Sequence, residues 1–148
     1  MEAKTMPEER TLILVKPDGV SQGHIGQVIT RLERKGYHID QLRVAQATDA
    51  LLRQHYADKL GQPYYDDIVK YMQEGPVVAI VASGTNVIPV FRRMAGNTNP
   101  DKADFGTIRG DYGRDWPDGV LRNVVHSSDS VEAAEREIKI WFGPSAVQ

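Results

Sequence analysis

Short apolar runs alternate with longer amphipathic stretches along the chain. Four runs are bounded by polar or turn-forming residues and predict strands over 12–15, 37–45, 77–82 and 124–126. The second loses its alternation at Asp40 and Gln41. Between these runs, apolar residues recur at helical spacing and predict helices over 25–35, 51–60, 65–72, 87–94 and 131–141.

One long segment, 95–122, has little periodicity and is rich in Gly, Pro, Asn and Asp. A loop of this length inside a compact domain is uncommon and usually functional. The element order is strand, helix, strand, helices, strand, helix, loop, strand and helix. That order fits either a parallel sheet or a split βαβ arrangement, and periodicity does not choose between them.

Size and charge narrow the class of protein. The 148 residues suit a single domain over 1–148, with a flexible N-terminal segment over 1–9. A net charge of −2 gives no reason to expect nucleic-acid binding, and without cysteine there are no disulfides or thiolate metal sites. The polar N-terminus is unlike a signal peptide, and no apolar run could span a membrane. We therefore expect a soluble cytoplasmic protein.

A single histidine, His126, ends the last predicted strand and is followed by hydroxyl and carboxylate side chains. Asp129 or Ser130 can cap the helix that follows. The imidazole would then face a helix N-terminus, where partial positive charge favours an anion such as phosphate. Beside a phosphate, neutral imidazole is a candidate nucleophile, although a histidine that only fills a strand end is the alternative.

Glu137 adds to this pattern because it lies about 40° around the last helix from Trp141, and so is not fully turned to solvent. A carboxylate bonded to one imidazole nitrogen fixes the tautomer and leaves the other nitrogen free to react. An ordinary surface glutamate is the alternative. Three distant cations follow or adjoin apolar segments, where a phosphate clamp could be anchored: Lys16, Arg92 and Arg109.

Several motifs together resemble those of the nucleoside diphosphate kinase family, and the similarity runs over nearly the whole chain. Each motif is weak evidence alone, but all occur in the order that the family shows. They are Lys16-Pro17-Asp18-Gly19-Val20, His55-Tyr56, Gly75-Pro76-Val77-Val78, Gly96-Asn97-Thr98-Asn99-Pro100, Thr107-Ile108-Arg109-Gly110-Asp111 and the block around His126.

The resemblance implies an α+β fold: a ferredoxin-like βαββαβ sandwich with a four-stranded antiparallel sheet covered by helices, and a long nucleotide-binding loop before the last strand. It also implies ping-pong transfer of the γ-phosphoryl group from ATP, GTP or another triphosphate to a nucleoside diphosphate, through a phosphohistidine at the pros nitrogen (Nδ1) of His126. The family forms homo-oligomers, either hexamers or tetramers. The alternatives are a non-catalytic nucleotide-binding regulatory module on the same fold and a nucleic-acid-binding ferredoxin-like domain.

The same resemblance assigns roles to individual residues. Around the histidine, Glu137 would orient His126 and Tyr56 would support it by a hydrogen bond. Mg²⁺ would arrive with the nucleotide, with Asp129 at most a water-mediated contact. The remaining residues would bind the nucleotide: Lys16 the transferred phosphate and a sugar hydroxyl, Arg92, Thr98 and Arg109 the phosphates, Asn123 the ribose, and Tyr64 the base by stacking.

Two features depart from the family pattern. Ser127 stands where glycine is usual. The segment 113–121 is about four residues longer than in many members, which we interpret as a tolerated insertion that affects subunit contacts more than chemistry. The other three histidines have no comparable neighbours in sequence and are expected to be structural or solvated: His24, His38 and His55.

Overall fold

A computed structural model describes residues 5–143 of the chain. The strands are β1 (Glu8–Val15), β2 (His38–Ala45), β3 (Val77–Thr85) and β4 (Val125–Ser127). The helices are α1 (Pro17–Ser21), α2 (Ile25–Arg34), α3 (Asp49–His55), α4 (Tyr65–Met72), α5 (Val87–Ala95), α6 (Ile108–Tyr112) and α7 (Val131–Phe142), with 3-10 turns at Ala57–Lys59 and Pro100–Lys102. Within 5–143, no helix is both long and apolar enough to cross a membrane.

The four strands form one sheet in the order β2-β3-β1-β4, and every neighbouring pair is antiparallel. This confirms the split βαβ arrangement and excludes the parallel sheet. The register between β2 and β3 shifts between Ile39 and Gln41. The break in alternation predicted at this point is therefore a β-bulge, in which one extra residue moves the side-chain pattern to the other face.

Helices cover both faces of the sheet, and this explains why its strands are apolar without interruption. In β1, Leu12 and Leu14 pack on one face with Ile138 and Trp141 of α7. On the other face, Ile13 and Val15 pack with residues of α2 and α5, and all four strand residues are fully buried. The strands of an antiparallel sheet usually alternate apolar and polar residues because one face of the sheet is exposed to solvent. Neither face of β1 is exposed here.

The predicted loop 95–122 is more ordered than its composition suggests. It contains α6, where the Thr107 hydroxyl caps the helix by accepting from Gly110 N, and the 3-10 turn at Pro100–Lys102. Another short helix, α1, follows β1, where no helix was predicted. Helices of five residues leave almost no periodic signal, so the sequence pattern missed both.

The predicted element boundaries shift most at two places. The helix expected over 51–60 ends at His55 and continues as a separate 3-10 turn. Glu8 and Glu9 lie within the segment expected to be flexible, but they belong to β1 and pair with Thr85 and Gly84. Residues 1–4 of that segment lie outside the described residues.

Ser127 occupies an ordinary strand position. It pairs with Ile13 across β1 and β4, is 8% exposed, and is not among the non-glycine residues with positive φ. The backbone here therefore does not need glycine.

We predict that Ser127→Gly lowers the free energy of unfolding by a few tenths of a kcal/mol to ~1 kcal/mol, because glycine gains more freedom in the unfolded chain. Denaturant melts at equilibrium measure this change. Ser127→Ala, which keeps the Cβ, is the matched control and should stay closer to wild type. A glycine variant with both a higher melting temperature and faster turnover would show that the backbone at this position is strained by serine.

Candidate active site

His126 lies in β4, opposite Leu14 of β1, and its ring faces a cavity of about 680 Å³. Its Nε2 lies 2.7 Å from Oε1 of Glu137, which is on α7 and only 5% exposed. The helical phase therefore places Glu137 inward, as predicted. A carboxylate only accepts hydrogen bonds, so Nε2 carries the ring hydrogen and Nδ1 keeps its lone pair.

The free nitrogen of His126 is available to a ligand. Nδ1 has no hydrogen-bond partner among the described residues, and the side chain keeps 20% exposure on the cavity. Burial lowers the pKa of His126, against the opposing effect of Glu137. The ring is consequently neutral at physiological pH, which is the nucleophilic form.

The turn between β4 and α7 ties Glu137 to the sheet. The buried hydroxyl of Ser128 donates to Glu137 Oε1 at 2.8 Å and accepts from Leu12 N at 3.1 Å. The helix cap is Ser130, whose Oγ accepts from Ala133 N at 3.0 Å. Of the two caps that the sequence allows, Ser130 is the one used, and Asp129 lines the cavity instead.

Lys16 follows β1 and is almost fully buried at the cavity wall, with 9% exposure. Its Nζ donates to Oδ1 of Asn123 at 2.7 Å, and Nδ2 of Asn123 donates to the Thr98 carbonyl at 3.2 Å. Burial, together with the charge of Arg109, lowers the pKa of Lys16 to about 7, although Asp18 opposes this shift. A ligand anion would raise that pKa again.

Arg109 on α6 joins three segments by donating to backbone carbonyls. Its guanidinium reaches Gly96 O at 2.9 Å, Asn123 O at 3.0 Å and Val125 O at 2.7 Å. Burial lowers the pKa of Arg109, and the charge of Arg92 adds to the effect. Arg109 therefore shapes the cavity while its remaining donors can meet an anion.

The cavity brings together most residues that the sequence predicted. In addition to His126 and Glu137, it is lined by Lys16, Tyr56, Arg92, Thr98, Arg109, Asn123 and Asp129. Arg93, next to Arg92 in the chain, also lines it. The charge of Arg92 contributes to the lowered pKa of Arg109, so these two cations influence each other.

Tyr64 lies at an adjoining cavity of about 720 Å³, whose walls include Lys16, Thr98 and Asn123 of the first one. Its ring is 48% exposed and available for stacking. Its lining also includes Ile68 and Tyr71 of α4 and the residues Asp118, Gly119, Val120 and Leu121. Part of the longer segment 113–121 thus borders this second cavity. Its expected effect on subunit contacts stays a prediction.

The Tyr56 hydroxyl forms no hydrogen bond with His126, and no other partner for it occurs in residues 5–143, so Tyr56 supports the histidine only by packing. His55 is buried, in agreement with a structural role, but it lies at the site itself, because its ring packs against both Tyr56 at 4.6 Å and His126 at 4.5 Å between centroids. It is buried through contact between α3 and α7, which sequence spacing does not reveal.

Sequence reasoning also missed Asp18, a buried carboxylate within the Lys16-Pro17-Asp18-Gly19 motif. Its oxygens accept from Tyr71 Oη at 2.5 Å and from Val124 N at 3.1 Å. Val124 has a positive φ of 70°, which is a genuine outlier for a β-branched residue. Gly19 is required nearby, because a Cβ there would lie 2.8 Å from the Val15 side chain. In the sequence, the only sign of a role for Asp18 was its place in this motif.

Comparison with known proteins identifies the family of the chain. The family profile described as nucleoside diphosphate kinase matches residues 9–147. The nucleoside diphosphate kinase of Saccharopolyspora erythraea is 51% identical over 90% of this chain and 96% of its own length. Human nucleoside diphosphate kinase A is 48% identical over 92% of this chain and 87% of its own.

Solved structures give the same result for the fold. A halophilic nucleoside diphosphate kinase from Halobacterium salinarum, in complex with CDP, superposes with a TM-score of 0.85 and 38% identity over 92% of this chain and 88% of its own. The apo enzyme from Encephalitozoon cuniculi superposes with a TM-score of 0.86 and 38% identity, over 95% of this chain and 92% of its own. The fold and site define a nucleotide phosphotransferase. The chain belongs to the nucleoside diphosphate kinase family.

The lowered pKa of Lys16 makes anion binding depend on pH. Below about pH 7 the free site holds a charged ammonium, and above it the amine is neutral, so affinity for a phosphate falls as pH rises through this value. We predict that ADP affinity of the wild type falls about tenfold between about pH 7 and 8.5, relative to Lys16→Arg.

Isothermal titration of both proteins across this range measures the effect. Protonation of the ADP phosphates changes with pH in the same way for both proteins. The ratio of the two dissociation constants therefore isolates the contribution of Lys16. A ratio that does not change with pH would contradict the prediction.

Proposed function

We propose that this nucleoside diphosphate kinase works by a ping-pong route through Nδ1 of His126. Phosphoryl transfer between nucleotides is the activity of the family to which the chain belongs. The observation that carries the proposal is the 2.7 Å contact between Nε2 and Glu137. It leaves Nδ1 as the free nitrogen, in a cavity whose lining includes the buried Lys16 and the partly buried Arg109.

In the first half-reaction, the Nδ1 lone pair attacks the γ-phosphorus of a triphosphate. An N–P bond forms, the bond to the β–γ bridging oxygen breaks, and its electron pair leaves with the diphosphate. The imidazole gains positive character, which the carboxylate of Glu137 stabilises through the Nε2 hydrogen. The second half-reaction reverses these steps on another nucleoside diphosphate. We assign Lys16, Arg92 and Arg109 to stabilising charge on the phosphates.

Mg²⁺ fits this site as a companion of the nucleotide. In the described part of the chain, the one group of three possible ligands is His55, His126 and Glu137, which is rich in nitrogen, whereas Mg²⁺ prefers oxygen. We propose that nucleotide phosphates hold the ion, with Asp129 at the cavity wall as a water-mediated contact. When bound there, Mg²⁺ neutralises charge on the β- and γ-oxygens.

The remaining roles concern the nucleoside. Asn123 already bonds Lys16 and Thr98, so its amide is fixed at the junction of the two cavities, as a ribose-hydroxyl contact requires. We assign the ribose to Asn123, a phosphate to Thr98 and the base to the exposed ring of Tyr64. Stacking on an aromatic face accepts every base, which suits a broad range of nucleoside di- and triphosphates.

We further propose that the chain forms one domain over 1–148 and assembles as a homo-oligomer, a hexamer or a tetramer. Leu42 and Val44 support the assembly, because they are 49% and 67% exposed on the edge strand β2. Light scattering of the purified protein measures the number of subunits.

We place the enzyme in the cytoplasm, where its nucleotide substrates are found.

The alternative, a non-catalytic nucleotide-binding module, needs the cavity but not the nucleophile. It gives no role to the paired contacts of Glu137 with His126 and Ser128, which orient a reactive ring. The two functions separate in one assay, because only an enzyme retains phosphate covalently after the nucleotide is removed.

We predict that His126→Ala abolishes labelling by γ-³²P-ATP while nucleotide binding persists. The label on the wild type should be acid-labile and alkali-stable, as a phosphohistidine is. His38→Ala, which changes an exposed histidine on β2, is the matched control and should label normally. Normal turnover by a folded His126→Ala protein would refute the proposed route, and nucleotide binding without any label on the wild type would favour the non-catalytic module.

Glu137→Gln should slow phosphorylation about tenfold and leave nucleotide affinity unchanged. Glutamine retains an acceptor for Nε2–H but not the negative charge, and the difference between a charged and a neutral hydrogen bond is about 1–2 kcal/mol. Single-turnover labelling gives the rate. Glu132→Gln, in the exposed first turn of the same helix, controls for loss of charge. Equal rates for the two variants would show that Glu137 has no part in transfer.

A further inference from the structure

His55 is a buried histidine for which the phosphotransfer scheme has no role. It ends α3, is 4% exposed and lines the same cavity as His126. The two rings meet nearly at right angles, with an interplanar angle of 77° and centroids 4.5 Å apart. His126 is therefore contacted on two sides, at Nε2 by Glu137 and on the ring by His55.

A hydrogen bond from Trp141 fixes the tautomer of the His55 ring. The indole Nε1–H donates to Nδ1 of His55 at 3.0 Å, so Nδ1 is an acceptor and the hydrogen must be on Nε2. Trp141 is 2% exposed and lies one turn after Glu137 on α7. A single helix thus holds the nucleophile through Glu137 and the ring beside it through Trp141.

The surroundings keep His55 neutral. Burial, the neighbouring His126 and the cations of Lys16, Arg136 and Lys59 lower the pKa of His55 to about 2. Glu137 is the carboxylate close to both histidines. A neutral ring can remain packed against His126 when phosphorylation gives that imidazole positive character, whereas a second cation would repel it.

We propose that His55, held by Trp141, is a positioning residue that fixes the ring plane of the nucleophile His126. The hydrogen bond to Glu137 determines the direction of Nε2 but allows the ring to tilt about that bond. The perpendicular ring of His55 prevents this tilt and keeps Nδ1 directed at the cavity. The inference rests on the proposed phosphorylation of His126.

The test compares three proteins that share one background and differ only at position 55. Replacing His55 alone would leave the buried Trp141 N–H without an acceptor and destabilise the protein. We therefore use Trp141→Phe as a common background. On it, His55→Phe keeps a neutral ring beside His126, and His55→Ala removes the ring.

In single-turnover labelling at saturating ATP, we expect the His55→Ala/Trp141→Phe protein to be about 10- to 100-fold slower than Trp141→Phe. The His55→Phe/Trp141→Phe protein should stay within about threefold of the same reference, in keeping with a ring of similar shape. ADP affinity should be equal in all three. NMR of the phosphorylated alanine variant should also reveal phosphate on Nε2, because a loosened ring can present either nitrogen.

Two results would overturn the inference: phosphorylation of the alanine variant at the reference rate with phosphate only on Nδ1, or a phenylalanine variant as slow as the alanine one. If the alanine variant does not fold, ¹⁵N NMR of histidine-labelled wild type tests the inference by reporting which nitrogen of His55 carries the hydrogen. A hydrogen on Nδ1 would overturn the inference. Failure of the proposed function itself is distinct, because the wild type would then carry no phosphate on His126.

Discussion

The hydrogen bond between Nε2 of His126 and Glu137 is the contact on which the rest of the site depends. It joins β4, a strand of three residues, to α7. Neither element could hold the geometry alone, but both are tied to β1: His126 pairs with Leu14, and Ser128 links Leu12 to Glu137. Because the central residues of β1 are buried on both faces, the proposed nucleophile is positioned by a close-packed part of the core.

Burial of its cations costs the proposed phosphate site some stability. Lys16 is 9% exposed and Arg109 is partly buried, and burial lowers the pKa of each. Removal of these charges from water is unfavourable unless an anion compensates for it. Since binding and protonation are linked, a bound phosphate raises the pKa of Lys16 and restores its charge at the moment when the charge is needed.

The sequence predicts the parts of this arrangement that follow from local periodicity. The phase of one helix places Glu137 inward, hydroxyl residues after His126 supply the cap, and broken alternation reveals the bulge at Asp40. His55 shows what the sequence pattern cannot predict. It is 71 positions before His126 in the chain, and only the packing of α3 against α7 brings the two rings together. Residue spacing carries no information about such a contact, and the absent Tyr56 hydrogen bond has the same origin, since the family motif identifies a residue but not its partner.

The strained backbone at Val124 shows how the site residues come to share one cavity. Val125 N donates to Asn123 O at 2.7 Å around a central residue with φ of 70°, which forms a tight γ-turn of the rare, strained kind. Asp18 holds Val124 N, and Lys16 N donates to Val124 O at 2.7 Å, so the motif after β1 fixes both sides of the turn.

A glycine at Val124 would relieve the strain but would remove a side chain that is 1% exposed and packed in the core. A regular strand through Asn123 and Val124 would separate the Asn123 amide from the nucleophile by the strand's alternation. The γ-turn reverses that alternation locally, so that Asn123 meets Lys16 and His126 lines the same cavity. Strain of this type costs about 1–3 kcal/mol and persists only where surrounding contacts enforce it. Asp18 and Lys16 are those contacts, which gives the Lys16-Pro17-Asp18-Gly19 motif a structural role as well as a chemical one.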